Sequence, residues 1–180
     1  YIKLISQYTN LESVDLNWPG KVIPLHIING LDVLKKLERV SIRRQLGGSD
    51  VLKNPFTLQY DAENRHLTLN PVHLKDTTVY ESLQLLRTVL SLVITVYNHT
   101  NLPAWIWKCE ELQDLKVKFD MYGECIFHIT ETIGNLPNLR SLEVRGHCTK
   151  SRHALQEQPS HLSEHVGRLE NLQFLEISAC

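Results

Sequence analysis

The chain carries four cysteines and nine histidines, the side chains best suited to bind a metal ion or to act as nucleophiles. The cysteines lie 16, 23 and 32 residues apart, so no pair has the C-x-x-C spacing of a zinc ribbon or a redox-active disulfide. His147-Cys148 could form half of a metal site, but no second pair is placed to complete it. We therefore expect unpaired thiols that are buried or half-buried, and we expect no metal site and no cofactor.

The sequence also contains none of the short motifs that mark common catalytic sites. It has no H-E-x-x-H, no G-x-S-x-G and no G-x-x-x-x-G-K-[ST] phosphate loop. Cys109 is followed by two glutamates, whose negative charges would raise the pKa of its thiol, whereas a catalytic thiol needs a lowered pKa. The sequence therefore predicts a protein that is not an enzyme.

Length and composition indicate a folded domain whose net charge is close to zero. The 180 residues are 42% hydrophobic, and 19 Lys and Arg against 20 Asp and Glu give a formal net charge of −1. This balance disfavours nucleic acid as a partner, because binding to phosphates needs a basic excess. It also disfavours electrostatic attachment to a membrane. The longest apolar run, 89–97, is far shorter than the roughly 18 residues of a membrane span.

An apolar-x-x-apolar-x-apolar pattern recurs along the chain. Five copies are clear and begin at Leu11, Leu37, Leu112, Leu139 and Leu172. Two weaker copies have Asn64 and Val89 at the first position, and the register of the second is open by one or two residues. The middle apolar residues are Val14, Val40, Leu67, Leu92, Leu115, Leu142 and Leu175. Their spacings of 26, 27, 25, 23, 27 and 33 residues agree, except for the last, with the roughly 20–29 residues of a leucine-rich repeat.

The last two apolar positions of each clear copy flank a polar residue, such as Asp15 or Glu143. Alternation with a period of two predicts a half-buried strand, and we expect the strands of successive copies to stack in parallel into one sheet. Connectors with apolar residues three or four apart, such as Leu83, Leu86 and Leu90, predict short helices. The predicted fold is an α/β leucine-rich-repeat solenoid of about seven repeats in one domain, 1–180. Its parallel sheet would form the concave face, with short helices and loops on the convex face.

Three strings occupy equivalent places in successive repeats: LPAWI at 102–106, IGNLPNLRSL at 133–142 and VGRLENLQFL at 166–175. They resemble the carboxy-terminal leucine-rich repeats of plant intracellular immune receptors of the nucleotide-binding type. The resemblance covers 92–180 well, and the earlier residues only through the general repeat. Trp105 belongs to this motif and is expected in the core, whereas Trp107 is expected on the lateral surface.

The resemblance implies a cytoplasmic protein-recognition module of a disease-resistance receptor. Such a module would sense a pathogen effector or a host target protein and would restrain a nucleotide-binding module upstream. The chain opens at Tyr1 without a Met, which is typical of a fragment of a longer chain, so we expect the phosphate loop before it. A second hypothesis stays open: the substrate-binding repeats of an F-box-type ubiquitin ligase or of another scaffold.

The alternation also predicts which strand side chains point to solvent on the concave face. We interpret nine of them as candidate protein-binding residues: Arg39, Arg43, His66, Lys116, Lys118, Glu143, Arg145, Phe174 and Glu176. Their charges could complement a charged patch on a partner, and an exposed aromatic such as Phe174 is typical of an interface hot spot. The same charges are also typical of an ordinary solvated surface, and the sequence does not identify the ligand.

Overall fold

The computed structural model describes residues 10–18, 36, 38–44, 57–72, 84–97, 101–121, 128–129, 131–148 and 164–179. These residues form one eight-stranded sheet in which strands that are consecutive in the chain are also neighbours in the sheet. The strands are β1 (Ser13–Trp18), β2 (Arg39–Arg44), β3 (Thr57–Asp61), β4 (His66–Val72), β5 (Ser91–Tyr97), β6 (Asp114–Met121), β7 (Ser141–Cys148) and β8 (Phe174–Ala179).

The repeated apolar residues set the register of the sheet. Val14 pairs with Val40 across β1 and β2, and Leu67, Leu92, Leu115, Leu142 and Leu175 pair in one continuous line from β4 to β8. A slip of one residue would turn each apolar residue towards solvent, so their burial fixes the alignment of neighbouring strands. The register near Leu92, which the sequence left open, is the one with Val89 at the first position of its copy.

The strand β3 departs from the predicted parallel order. It runs antiparallel to both β2 and β4, and it adds an eighth strand to the seven that the repeats predict. β3 and β4 form a hairpin that buries its alternating apolar residues on one side: Leu58, Leu67 and Leu69 are fully buried, and Tyr60 packs against the core while partly buried. The expectation that Asn64 stands in for a repeat anchor is wrong, since Asn64 lies exposed in the turn and donates to Asp61 Oδ2 at 2.8 Å.

Each of the later repeats turns back through a short 3₁₀ helix on the core side of the sheet. The helices are Gln84–Thr88, Ala104–Lys108, Glu131–Asn135 and Glu164–Arg168. Each is followed by the same kind of turn hydrogen bond. Cys109 N donates to Ile106 O at 2.9 Å, and at the equivalent place in the next repeat Leu136 N donates to Ile133 O at 3.2 Å. Cys109 therefore takes the place that leucine takes in the next repeat.

The core lies between the sheet and these helices. Leu92, Leu115 and Leu142 are fully buried, as is Trp105 of the LPAWI string, which confirms the prediction for this tryptophan. Trp107, two residues later, is 46% exposed, as expected for the lateral surface. Burying one such large apolar side chain contributes about 1.5–3 kcal/mol, so the repeated anchors are the main source of stability. No helix among the described residues is long and apolar enough to cross a membrane.

A main-chain carbonyl at the start of each strand joins successive repeats. The carbonyl of Gln113 accepts hydrogen bonds from Arg140 N at 2.8 Å and Ser141 N at 2.9 Å, and that of Arg140 accepts from Gln173 N and Phe174 N in the same way. The carbonyl of Arg65 accepts from Leu90 N and Ser91 N. Arg65 ends the β3–β4 turn with a φ of 50°, in the left-handed region.

Candidate functional site

The side of the sheet opposite the core, here the open face, presents three rows of side chains. Row A contains Ser13, Arg39, Asp61, His66, Ser91, Asp114, Ser141 and Phe174. Row B contains Asp15, Ser41, Gln59, Thr68, Val93, Lys116, Glu143 and Glu176. Row C contains Asn70, then Thr95, Lys118, Arg145 and Ser178 beyond a register shift in β4. The backbone positions of Asn17, Arg43 and Thr57 continue the register of row C across β1, β2 and β3. Eight of the nine candidate residues have their side chains in these rows, because they alternate with the buried anchors, and Arg43 holds a row C position in the backbone.

Five of the nine candidates come together on β6, β7 and β8, where Glu143 is the centre of a charged network. Lys116 Nζ lies 2.9 Å from Glu143 Oε2, and Arg145 Nε lies 2.7 Å from Glu143 Oε1. Arg145 also reaches Glu176, with 3.2 Å between its NH2 nitrogen and Oε1. Lys118 is exposed beside this network and has no ion pair within 4.0 Å among the described residues. The network joins three neighbouring repeats across the open face.

The environment of Glu143 differs from the expectation of a solvent-facing side chain. The residue is only 8% exposed, because the longer side chains of Lys116 and Arg145 cover it from both sides. The hydrogen bond from Lys116, with the nearby charges of Lys116, Arg145 and Lys118, holds the pKa of this carboxyl below its usual 4.5. Glu143 is therefore ionised at neutral pH, and Lys116 and Arg145 compensate its charge. A binding partner gains little from contact with Glu143 itself.

Phe174 stands at the end of row A and is 49% exposed, as the alternation predicts. Leu175 and Ile177 on the same strand are also exposed, although their equivalents in β7 are fully buried. The difference arises because the described residues place a neighbouring strand on only one side of β8. Phe174 is thus an aromatic side chain that a partner reaches without rearranging the core.

Arg39 and His66 lie at the other end of the open face, and they border a cavity over β1 to β4 of about 520 Å³. His66 Nδ1 lies 2.9 Å from Ser91 Oγ, and its Nε2 lies 3.1 Å from Thr68 Oγ1, so both ring nitrogens are engaged by hydroxyls. Arg43 follows in row C of β2, but its side chain lies outside the described residues. Seven of the nine candidates therefore divide into a charged network, an aromatic edge and a polar cavity, while Lys118 lies beside the network and the side chain of Arg43 lies outside the described residues.

Sequence reasoning missed the residues that β3 contributes to this cavity, Gln59 and Asp61. Asp61 accepts from Glu63 N at 3.1 Å and from the Asn64 side chain at 2.8 Å, so its carboxylate closes the hairpin turn. The hydrogen bond from Asn64 is the main reason that the pKa of Asp61 lies below its usual value, with a smaller contribution from the charge of Arg39. The alternation of 57–61 around a polar turn was a signal that could have identified the hairpin.

The described residues give little basis for metal or thiol chemistry. No group of three or more His, Cys, Asp or Glu side chains among them is placed to hold a metal ion. Cys109 is fully buried, and burial raises the pKa of its thiol to about 12. Desolvation therefore raises the pKa of Cys109, whereas the sequence predicted that the two adjacent glutamates would raise it. A thiol in this state is neither a nucleophile nor a metal ligand at neutral pH.

The alignment of the apolar anchors over seven strands that run in one direction, with a 3₁₀ helix on the core side before each of β5 to β8, decides the fold. The fold is a leucine-rich-repeat solenoid. No protein-family model matches the chain, and no curated protein matches it significantly. A solved structure of a leucine-rich-repeat protein from Leptospira interrogans matches 99% of this chain at 19% sequence identity with a TM-score of 0.45. This chain covers 34% of the length of that protein.

Proposed function

We propose that this solenoid is the protein-recognition module of an intracellular plant disease-resistance receptor of the nucleotide-binding type. It senses a pathogen effector, or a host protein that an effector alters, through its open face. In the absence of that protein it restrains a nucleotide-binding module that precedes it in the same polypeptide. The module acts in the cytoplasm and needs no cofactor of its own.

The observation that carries the recognition part of this proposal is the separation of the open face from the core. On β6 and β7 the open-face residues of rows A to C alternate with Leu115, Val117 and Phe119, and with Leu142 and Val144, which are all buried to 1% exposure or less. Substitutions in rows A to C therefore change the surface that a partner meets without changing the packing that holds the strands. A surface of this kind suits a receptor that must recognise a protein partner, whereas a catalytic site needs convergent groups.

The strings LPAWI, IGNLPNLRSL and VGRLENLQFL support the link to plant immune receptors. In the structure they share one set of positions: Ile106, Ile133 and Val166 are buried in the 3₁₀ helices at equivalent places. Pro103 stands at the N-terminus of the first of these helices, where its fixed φ of −61° suits the start of a helical turn. The three strings are therefore equivalent parts of successive repeats, and the receptor function is inferred from their resemblance to the repeats of plant receptors.

Restraint of an upstream module requires that the solenoid bind one state of that module more tightly than another. The exposed groups suited to such a contact are Lys118, which has no ion pair with any described residue, and Phe174, which is half exposed. The charges of Glu143 and Arg145 are already paired within the face, so a partner gains less from them. We therefore expect Lys118 and Phe174 to contribute more to the contact than the network does.

The decisive experiment measures association between this chain and the separately produced nucleotide-binding module of the same polypeptide. We expect micromolar binding that Lys118→Glu and Phe174→Ala each weaken about tenfold. Arg87→Glu is the charge-matched control, since Arg87 is exposed on the 3₁₀ helix Gln84–Thr88 across the core from the open face. No association at several hundred micromolar would contradict the restraint part of the proposal.

The sequence that precedes Tyr1 in the natural protein provides a second, cheaper test. A G-x-x-x-x-G-K-[ST] phosphate loop there supports the receptor proposal, because that loop binds the nucleotide phosphates of the switch. A short helical F-box segment in its place would contradict the receptor proposal and would favour a ubiquitin-ligase adaptor.

A further inference from the structure

The cavity over β1 to β4 contains two opposite charges that do not pair with each other. Arg39 in row A and Asp15 in row B both border the cavity, and both side chains are exposed. Among the described residues neither side chain has an ion pair within 4.0 Å or a hydrogen bond. Both charges are thus available to a ligand, although they lie on neighbouring strands of the same cavity.

Asp61, the second carboxylate of the cavity, already takes part in hydrogen bonds within the protein. Asp61 accepts hydrogen bonds from Glu63 N and from the Asn64 side chain, which hold it in the hairpin turn. It contributes negative charge to the cavity beside Arg39, its partner across β2 and β3, whereas Asp15 has no hydrogen bond among the described residues that holds it in place. A ligand with only negative groups would meet repulsion from both aspartates, and one with only positive groups would meet repulsion from Arg39.

A third group in the cavity lacks a partner. The hydroxyl oxygen of Ser41, in row B between Asp15 and Gln59, is buried and has no hydrogen-bond partner among the described residues. Buried hydroxyls without partners are rare, because the group loses its hydration without compensation. An orphaned hydroxyl in the wall of a cavity is satisfied when a ligand brings a polar group to it.

We propose that this cavity binds an extended polypeptide segment of the recognised protein in which an acidic and a basic side chain are adjacent. The acidic side chain binds Arg39, the basic side chain binds Asp15, and a polar group of the segment completes the hydrogen bonding of Ser41. This proposal rests on the protein-recognition function proposed above and names the chemistry of the segment recognised. Arg39 and Asp15 are diagonal neighbours in the sheet, so their residue positions are about 7–8 Å apart. Two charged side chains of a peptide can span that separation, whereas the amino and carboxylate groups of a single amino acid lie too close together.

The test is a titration of the ¹⁵N-labelled 180-residue chain with blocked tetrapeptides, followed by NMR at the Arg39 side chain and the Ser41 and Gln59 amides. Acetyl-Gly-Glu-Lys-Gly-amide is expected to bind saturably in the millimolar range. Acetyl-Gly-Gln-Gln-Gly-amide, and the versions with two Glu or two Lys, are expected to bind at least tenfold more weakly. Equal shifts with all four peptides, or no shifts at 20 mM, would overturn the proposal, and so would equally tight binding of free glutamic acid.

Variants identify the groups responsible. Arg39→Gln and Asp15→Asn are each expected to weaken binding of the Glu-Lys peptide about tenfold, as for hydrogen bonds to charged groups. Arg87→Gln is the control, because Arg87 is an exposed cation on the 3₁₀ helix Gln84–Thr88, outside the cavity. Unchanged binding by Arg39→Gln or Asp15→Asn would overturn the assignment.

Ser41→Ala gives opposite expectations for binding and stability. Removal of the orphaned hydroxyl is expected to leave the melting temperature unchanged or raised, while peptide binding weakens about threefold to tenfold. A lowered melting temperature with unchanged binding would mean that the hydroxyl serves the fold, and the proposal would fail.

Failure of this proposal is distinguishable from failure of the proposed function. A chain that binds its upstream module but not the peptide overturns the cavity assignment alone. A chain that binds the peptide but no upstream module supports the cavity assignment and contradicts the restraint function.

Discussion

The side-chain amide of Asn171 donates a hydrogen bond to the main-chain carbonyl of Pro137, one repeat earlier, at 2.8 Å. Asn138 makes the same bond to the carbonyl of Glu110 at 2.9 Å. The two asparagines occupy equivalent positions in the strings LPNL and LENL. Each therefore satisfies a carbonyl of the preceding turn, and the pair forms a short ladder that joins three repeats.

We predict that Asn138→Ala and Asn171→Ala each lower the free energy of unfolding by about 1 kcal/mol, the usual net value of one hydrogen bond. Urea unfolding followed by circular dichroism measures the change. Asn135→Ala is the control, because Asn135 is exposed in the same repeat and makes no such bond. Equal losses in all three variants would show that the ladder contributes nothing specific.

The charge on Glu143 predicts a pH-dependent contribution to stability. Its folded-state pKa is depressed, so the stabilisation is fully present above the usual value of 4.5 and is lost as the pH falls through the folded value. We expect Glu143→Gln to cost about 1 kcal/mol at pH 7, since both of its cations are half exposed. The difference from the wild type should shrink below pH 4.5.

Stability measured from pH 3 to pH 7 tests this sign. Glu110→Gln serves as the control, since Glu110 is exposed and its side chain makes no ion pair among the described residues. A wild-type advantage that grows towards acid pH would be incompatible with a depressed pKa.

The fold was predictable where a single interaction dominated. Burial of Leu92, Leu115 and Leu142 determines the register, and their spacing is visible in the sequence. The strand β3 was missed because it lacks the repeat pattern and carries only a five-residue alternation, which a loop can also show. Burial of Glu143 was missed because it depends on how two long side chains lie over it, Lys116 from β6 and Arg145 from β7 itself.

The two tryptophans of the LPAWIW segment offer a matched pair of substitutions. Trp105 is fully buried, and Trp105→Ala is expected to cost about 3–5 kcal/mol through lost burial and the cavity left behind. Trp107 is 46% exposed, so Trp107→Ala should change stability by only about 0.5 kcal/mol. Denaturant titration gives both values, and Trp105→Phe provides a measurable variant where Trp105→Ala does not fold. Similar losses at 105 and 107 would contradict the assignment of the core.

Burial of Cys109 predicts a thiol that does not react in the folded chain. With its pKa raised to about 12, almost none of it is thiolate at pH 8, and the buried sulfur is out of reach of reagents. Iodoacetamide labelling followed by mass spectrometry should leave the Cys109 peptide unmodified in buffer and fully modified in 6 M guanidinium. Rapid labelling in buffer would place this residue outside the core.

The parallel register of β4 to β8, with β3 as the one antiparallel strand among those described, is the claim on which the open face and its sites depend. Inter-strand nuclear Overhauser effects on a uniformly labelled chain test it most directly. The account predicts parallel-type contacts that link Leu115 to Leu142 and Leu142 to Leu175, and short contacts between opposing α-protons only where β3 meets β2 and β4. Short contacts between opposing α-protons of β6 and β7, or helical contacts at Leu115 and Leu142, would contradict it.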